Sequence, residues 1–91
     1  MIDEEINSIT KKLRKPNIPD KEVEELYAKY FNKRENFLEV SSNKLKVLTN
    51  EWNKLIWTHL EQAYGQQETA KDRKDELEGI RKAEKYRRLL P

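Results

Sequence analysis

Cysteine is absent from the 91 residues, histidine occurs once, glycine twice and proline three times. Without cysteine there is no disulfide scaffold, zinc ribbon or thiol nucleophile. A lone histidine is too thin a supply for a hydrolase triad or a closed metal site. Two glycines cannot build a phosphate cradle, and no His-Glu-x-x-His or calcium-loop pattern occurs. No apolar run approaches the roughly 20 residues that span a bilayer. Asp3, Glu4 and Glu5 stand where a signal peptide would carry cations. These absences lead us to expect a cytoplasmic protein that is not an enzyme, uses no cofactor or metal and does not enter a membrane.

What is present is charge and helix formers. Charged residues make up 40% and hydrophobic residues 35%, so one modest core must carry long solvated faces, in a single helical domain over 1–91. Apolar positions recur at three and four rather than at two, which makes the class all-α. Ile2, Ile6, Ile9 and Leu13 form one narrow stripe, ended by Pro16 and Pro19. A second helix starts at Pro19 or Asp20, with Asp20 as its N-cap and Glu22, Glu24 and Glu25 suited to its first turn. Its apolar face is Val23, Leu26, Tyr27, Tyr30, Phe31, Phe37 and Leu38. Arg34 falls inside that face, so the helix either continues with the arginine snorkelling or breaks around Asn32 to Asn36; continuation is the expectation.

The third helix is the most apolar, with Leu45, Leu48, Trp52, Leu55, Ile56, Leu60 and Ala63 on one face and His59 among them. Gly65 stands where a left-handed cap would end it, and Thr69 is the expected cap of the last helix. The expected architecture is a small bundle of about four helices near 3–14, 20–39, 43–64 and 70–89.

Two surfaces stand out. Trp57 points about 130° or more away from the stripe of Leu48 and Trp52 but lines up with Leu60 and Tyr64. A central helix flanked by two neighbours accounts for this second apolar edge; a docking patch of Trp57, Leu60 and Tyr64 for another protein or a second copy also accounts for it. The other surface is basic. Net charge by segment is +1 over 1–18, −2 over 19–40, +1 over 41–65 and +2 over 66–91, and the stretch from Arg81 to Pro91 has five cations against Glu84 alone. Projected at 100° per residue, Lys74, Arg81, Lys85 and Arg88 share one arc. Such a row could follow a DNA or RNA phosphate backbone. Equally, cations suit a helix C-terminus, and Glu78 with Lys82 and Glu84 with Arg88 are favourable i,i+4 spacings. A helix-turn-helix with Ser42, Asn43, Lys44 and Lys46 opening a recognition helix fits poorly, because the connection lacks glycine and the preceding helix is too long.

Richness in Lys, Glu, Ile and Leu without Cys is typical of thermophilic proteins. In size, helicity, charge and the basic run Arg81-Lys82-Ala83-Glu84-Lys85-Tyr86-Arg87-Arg88, the chain resembles the small helical accessory subunits of B-family DNA polymerases in thermophilic archaea. The resemblance transfers no functional residue. It implies a non-catalytic accessory or adaptor subunit of a larger protein, in DNA replication or other nucleic-acid metabolism, with the last helix near nucleic acid. The alternatives are a nonspecific DNA- or RNA-binding protein acting alone, and a self-associating structural protein such as a homodimer.

Overall fold

In the computed structural model, residues 3–90 are described, with every side chain among them except those of Asp3 and Arg34. Ile2 of the first stripe and the terminal Pro91 lie outside the described residues. The fold is all-α: α1 (Asp3–Leu13), α2 (Asp20–Leu26), α3 (Ser42–Thr69) and α4 (Arg73–Arg88), with no strand among the described residues. The chain forms two compact units, one up to Trp52 and one from Asn53 on, and α3 contributes to both.

In the first unit α1 buries Ile6, Ile9 and Leu13, the spacing of three and four that one helix face requires. Thr10 is buried on the same helix, and its Oγ1 donates to the Ile6 carbonyl at 2.8 Å, so no polar atom is left without a partner there. After α1, Asn17 takes a left-handed conformation with φ 58°, which asparagine tolerates better than most residues, and this carries the chain between Pro16 and Pro19. The N-cap of α2 is Pro19, not Asp20. The Pro19 carbonyl accepts from the Glu22 and Val23 amides, and Asp20 is displaced into the first turn beside Glu22, where its charge still favours the open amides.

The second helix does not run to residue 39. Its last turn, Tyr27–Phe31, widens into a π-helix closed by the Asn32 amide donating to the Tyr27 carbonyl at 2.8 Å. Lys33 is then extended, and a 3₁₀ turn covers Arg34–Phe37. The Asn36 side-chain amide donates to the Lys29 and Tyr30 carbonyls, both at 3.3 Å, covering groups the broken helix leaves open. The break has a packing reason. A continuous helix would keep Arg34 in the apolar stripe, whereas the break brings Phe37 back onto Phe31, ring centroids 5.7 Å apart. Leu38, expected on the apolar face, is 81% exposed.

Trp52 is the anchor of this unit. It is 2% exposed, stacks on Phe31 with centroids 4.1 Å apart and faces Tyr27 at 6.3 Å. Ile18, Val23, Leu26 and Leu48 are buried in the same unit.

In the second unit α3 runs on through Gly65 to Thr69, so its 28 residues extend about 42 Å. Gly65 is not left-handed and does not cap the helix, and Thr69 donates its hydroxyl to the Gly65 carbonyl at 2.7 Å instead of capping α4. The cap of α4 is Asp72, whose carboxylate accepts from the Asp75 amide at 2.8 Å. Buried Leu55, Ile56, Leu60 and Ala63 on α3 and Ala83 and Tyr86 on α4 form this unit's core. Gly79 lets the two helices approach closely: a Cβ there would lie 2.9 Å from the Gln67 nitrogen and 3.0 Å from the Ala63 oxygen.

Candidate nucleic-acid interface

The burial of Gly79, Ala83 and Tyr86 orients α4. On a helical projection their face is opposite the arc of Lys74, Arg81, Lys85 and Arg88. Lys74, Arg81 and Arg88 are exposed, as that orientation requires, whereas Lys85 is half-buried with its Nζ 5.9 Å from the Tyr86 ring centroid. Three of the four sequence-derived cations therefore form a free-standing row, and Lys85 leans off it toward the buried aromatic ring. The row is spaced at seven residues, about 10 Å per step and about 21 Å in all. That length matches about six base pairs at a rise of 3.4 Å.

No carboxylate among the described residues lies within ion-pair distance of this row. Glu78 accepts from the Gln66 side-chain amide at 3.4 Å, and Lys82 donates to the Gln66 side-chain oxygen Oε1, also at 3.4 Å. The same Gln66 amide donates to the Asp75 carboxylate at 2.9 Å. Gln66 thus draws Glu78 and Lys82 to the flank of α4, and the i,i+4 pairs Glu78 with Lys82 and Glu84 with Arg88 do not form. Elsewhere on the helix Arg73 pairs with Glu76 at 3.1 Å, and Arg87 donates to its own helix at the Ala83 carbonyl.

The aromatic edge of α3 splits. Trp57 is 51% exposed and Tyr64 is 37% exposed, but Leu60 is wholly buried. Leu60 therefore belongs to the core and cannot touch a partner, while Trp57 and Tyr64, two turns apart, remain on the surface. Because half of Trp57 is already in water, Trp57→Ala should cost about 1–2 kcal/mol, less than the loss at the buried Trp52. Thermal melts of the two variants side by side check this.

His59 is half-buried and stacks on Tyr86 with centroids 4.8 Å apart and planes at 12°. Among the described residues no group of three or more His, Asp or Glu side chains converges as a metal ion would require. No helix among them is long and apolar enough to cross a membrane.

One feature escaped the sequence reading. In the first unit a groove of about 390 Å³ runs between α1 and the start of α3, with Ile6, Thr10 and Val47 along its floor and Lys11, Arg14 and Lys44 on its rim. Counting charge by segment concealed it, because Asp3, Glu4 and Glu5 offset Lys11, Lys12, Arg14 and Lys15. The signal was the separation of those signs to opposite ends of α1.

Comparison of the chain with protein-family models, with curated proteins and with solved structures gives no match.

Proposed function

We propose that this protein is a non-catalytic accessory subunit in DNA or RNA metabolism, docking on a larger cytoplasmic protein and holding α4 against nucleic-acid phosphates. The observation that carries the reading is the exposed row Lys74, Arg81 and Arg88, without an acid partner and opposite the buried face of its helix. Cations left unpaired in water lose little when they meet phosphate, and releasing the counterions on the nucleic acid supplies the driving force. Nothing in the row reads base edges, so the contact is to the backbone and independent of sequence. The half-exposed Trp57 and Tyr64 supply aromatic surface of the kind that anchors protein partners.

Three to four phosphate contacts predict that affinity for duplex DNA falls about 40- to 150-fold between about 50 and 200 mM salt. Changing Lys74, Arg81 and Arg88 together to Glu should lower the affinity at low salt more than tenfold and leave helical circular dichroism intact. A parent protein that ignores both DNA and RNA, or a triple variant that binds like the parent, would remove the nucleic-acid part. Copurification from native extract tests the subunit part. A monomer that retains DNA without any larger partner acts alone, and a dimer mass independent of salt would assign Trp57 and Tyr64 to self-association.

A further inference from the structure

The groove on the first unit combines two properties that together narrow its occupant. Its surface is mainly apolar, with Val47 45% exposed and Ile6 buried, and the charged residues that line it are all cations. None of the residues lining it is acidic. Lys11 is exposed. Arg14 pairs with Glu51, Nε to carboxylate at 3.4 Å, and its side chain is 58% exposed. Lys44, half-buried, lines the opposite wall.

We propose that this groove is the docking site for an acidic amphipathic segment of a partner protein. Its apolar side chains would cover Val47 and the Ile6–Thr10 floor, and its carboxylates would reach Lys11 and Arg14. The proposal rests on the reading that the chain docks on a larger protein, and it names the chemistry of the partner's contact. A nucleic-acid backbone uses the rim equally well but leaves the floor uncovered, because phosphates and sugars have no apolar side chain to place over Val47. A peptide with apolar residues on one face and acids on the other satisfies both parts at once, as helix-in-groove recognition requires. Opposite charges around the groove orient the approaching segment and exclude basic ones.

The test uses the full chain and a labelled synthetic amphipathic peptide with Leu and Phe on one face and Glu and Asp on the other, followed by fluorescence anisotropy. Saturable binding is expected, with amide shifts in nuclear magnetic resonance spectra concentrated at Ile6, Thr10 and Val47. Val47→Asp, a change at a half-exposed position, and the double change Lys11→Glu with Arg14→Glu should each weaken binding at least tenfold without loss of helicity. The Lys74, Arg81 and Arg88 triple variant should bind the peptide as the parent does. Four results overturn the proposal: no saturable binding; equal binding of a peptide in which Ser replaces Leu and Phe; parent-like binding by Val47→Asp; or duplex DNA displacing the peptide and itself losing affinity in the Lys11 and Arg14 variant. The last of these assigns the rim to phosphate. Copurification and DNA retention through α4 are read separately, so failure of the groove leaves the proposed function standing, and loss of the larger partner or of DNA binding leaves the peptide result interpretable.

Discussion

Trp52→Ala should cost about 3–5 kcal/mol, the largest loss expected from any single truncation in the first unit. Trp52 is almost wholly buried, and two aromatic rings lie against it, Phe31 at 4.1 Å and Tyr27 at 6.3 Å. Removing the indole deletes the transfer energy of a large apolar surface and leaves a cavity that a helix cannot close without shifting its backbone. It also removes ring-on-ring contacts worth about 0.5–1.5 kcal/mol per pair beyond their area. For a domain whose total stability is about 5–15 kcal/mol, this is a large share. The expected fall in Tm is roughly 12–40 °C, at about 4–8 °C per kcal/mol for a chain of this size. Trp52→Phe, which keeps a ring in the site, should lose much less. The π-turn and the 3₁₀ segment that follows it depend on this stack, so they should lose amide protection before the rest of the unit does. A Tm lowered by less than about 5 °C would show that Tyr27, Phe31 and Phe37 hold their positions without the indole.

The second large effect is at Gly79, where simple helix propensity predicts the wrong sign. In an exposed helix interior, alanine is more favourable than glycine by about 0.8–1.0 kcal/mol. Here a methyl group would meet the Gln67 nitrogen at 2.9 Å, the Ala63 oxygen at 3.0 Å and the Gln67 Cα at 3.3 Å. All three are backbone atoms of α3 and cannot rotate away. Gly79→Ala should therefore destabilise by about 1–3 kcal/mol, the usual cost of overpacking. Gly79→Leu should cost more than about 3 kcal/mol, because it forces α4 off α3 and uncovers Ala63, Ala83 and Tyr86. Gly65 provides the control. A Cβ there meets nothing within 4 Å, so Gly65→Ala should stabilise by roughly the propensity difference. Thermal melts of the three variants distinguish packing from propensity, and a stabilising Gly79→Ala would disprove the close approach.

Much of the fold was legible because helical periodicity is local. Ile6, Ile9 and Leu13 announce their helix at spacings of three and four, and Leu48, Trp52, Ile56 and Leu60 do the same for α3; all are buried. The loop held by Pro16 and Pro19 was equally plain, since proline restricts its own residue and the one before it wherever they occur. The basic arc of α4 also followed from spacing. That Lys74, Arg81 and Arg88 stand free while Lys85 turns to Tyr86 and Gln66 takes up Glu78 and Lys82 did not follow, because spacing along one helix does not say which side chains meet. Leu60 lay on both the core face and the edge of Trp57 and Tyr64 in a helical projection, and only the covering of one side of α3 assigns it to the core and leaves the indole on the surface.

By itself, then, the order of residues determined the all-α class, the stripes that would be buried, the proline-bound connection and the supply of charge along α4. The tertiary structure decided where helices stop and which charges stay free. Two signals were locally strong and yet overruled, Gly65 as a helix end and the apolar stripe through Phe37 and Leu38 as a helix continuation. In the first case, continuing α3 lets Gln66 bond Asp75 and Glu78 on α4. In the second, breaking the helix brings Phe37 onto Phe31. A capping preference or a propensity is worth about 1 kcal/mol, and a few contacts between residues distant in sequence exceed it.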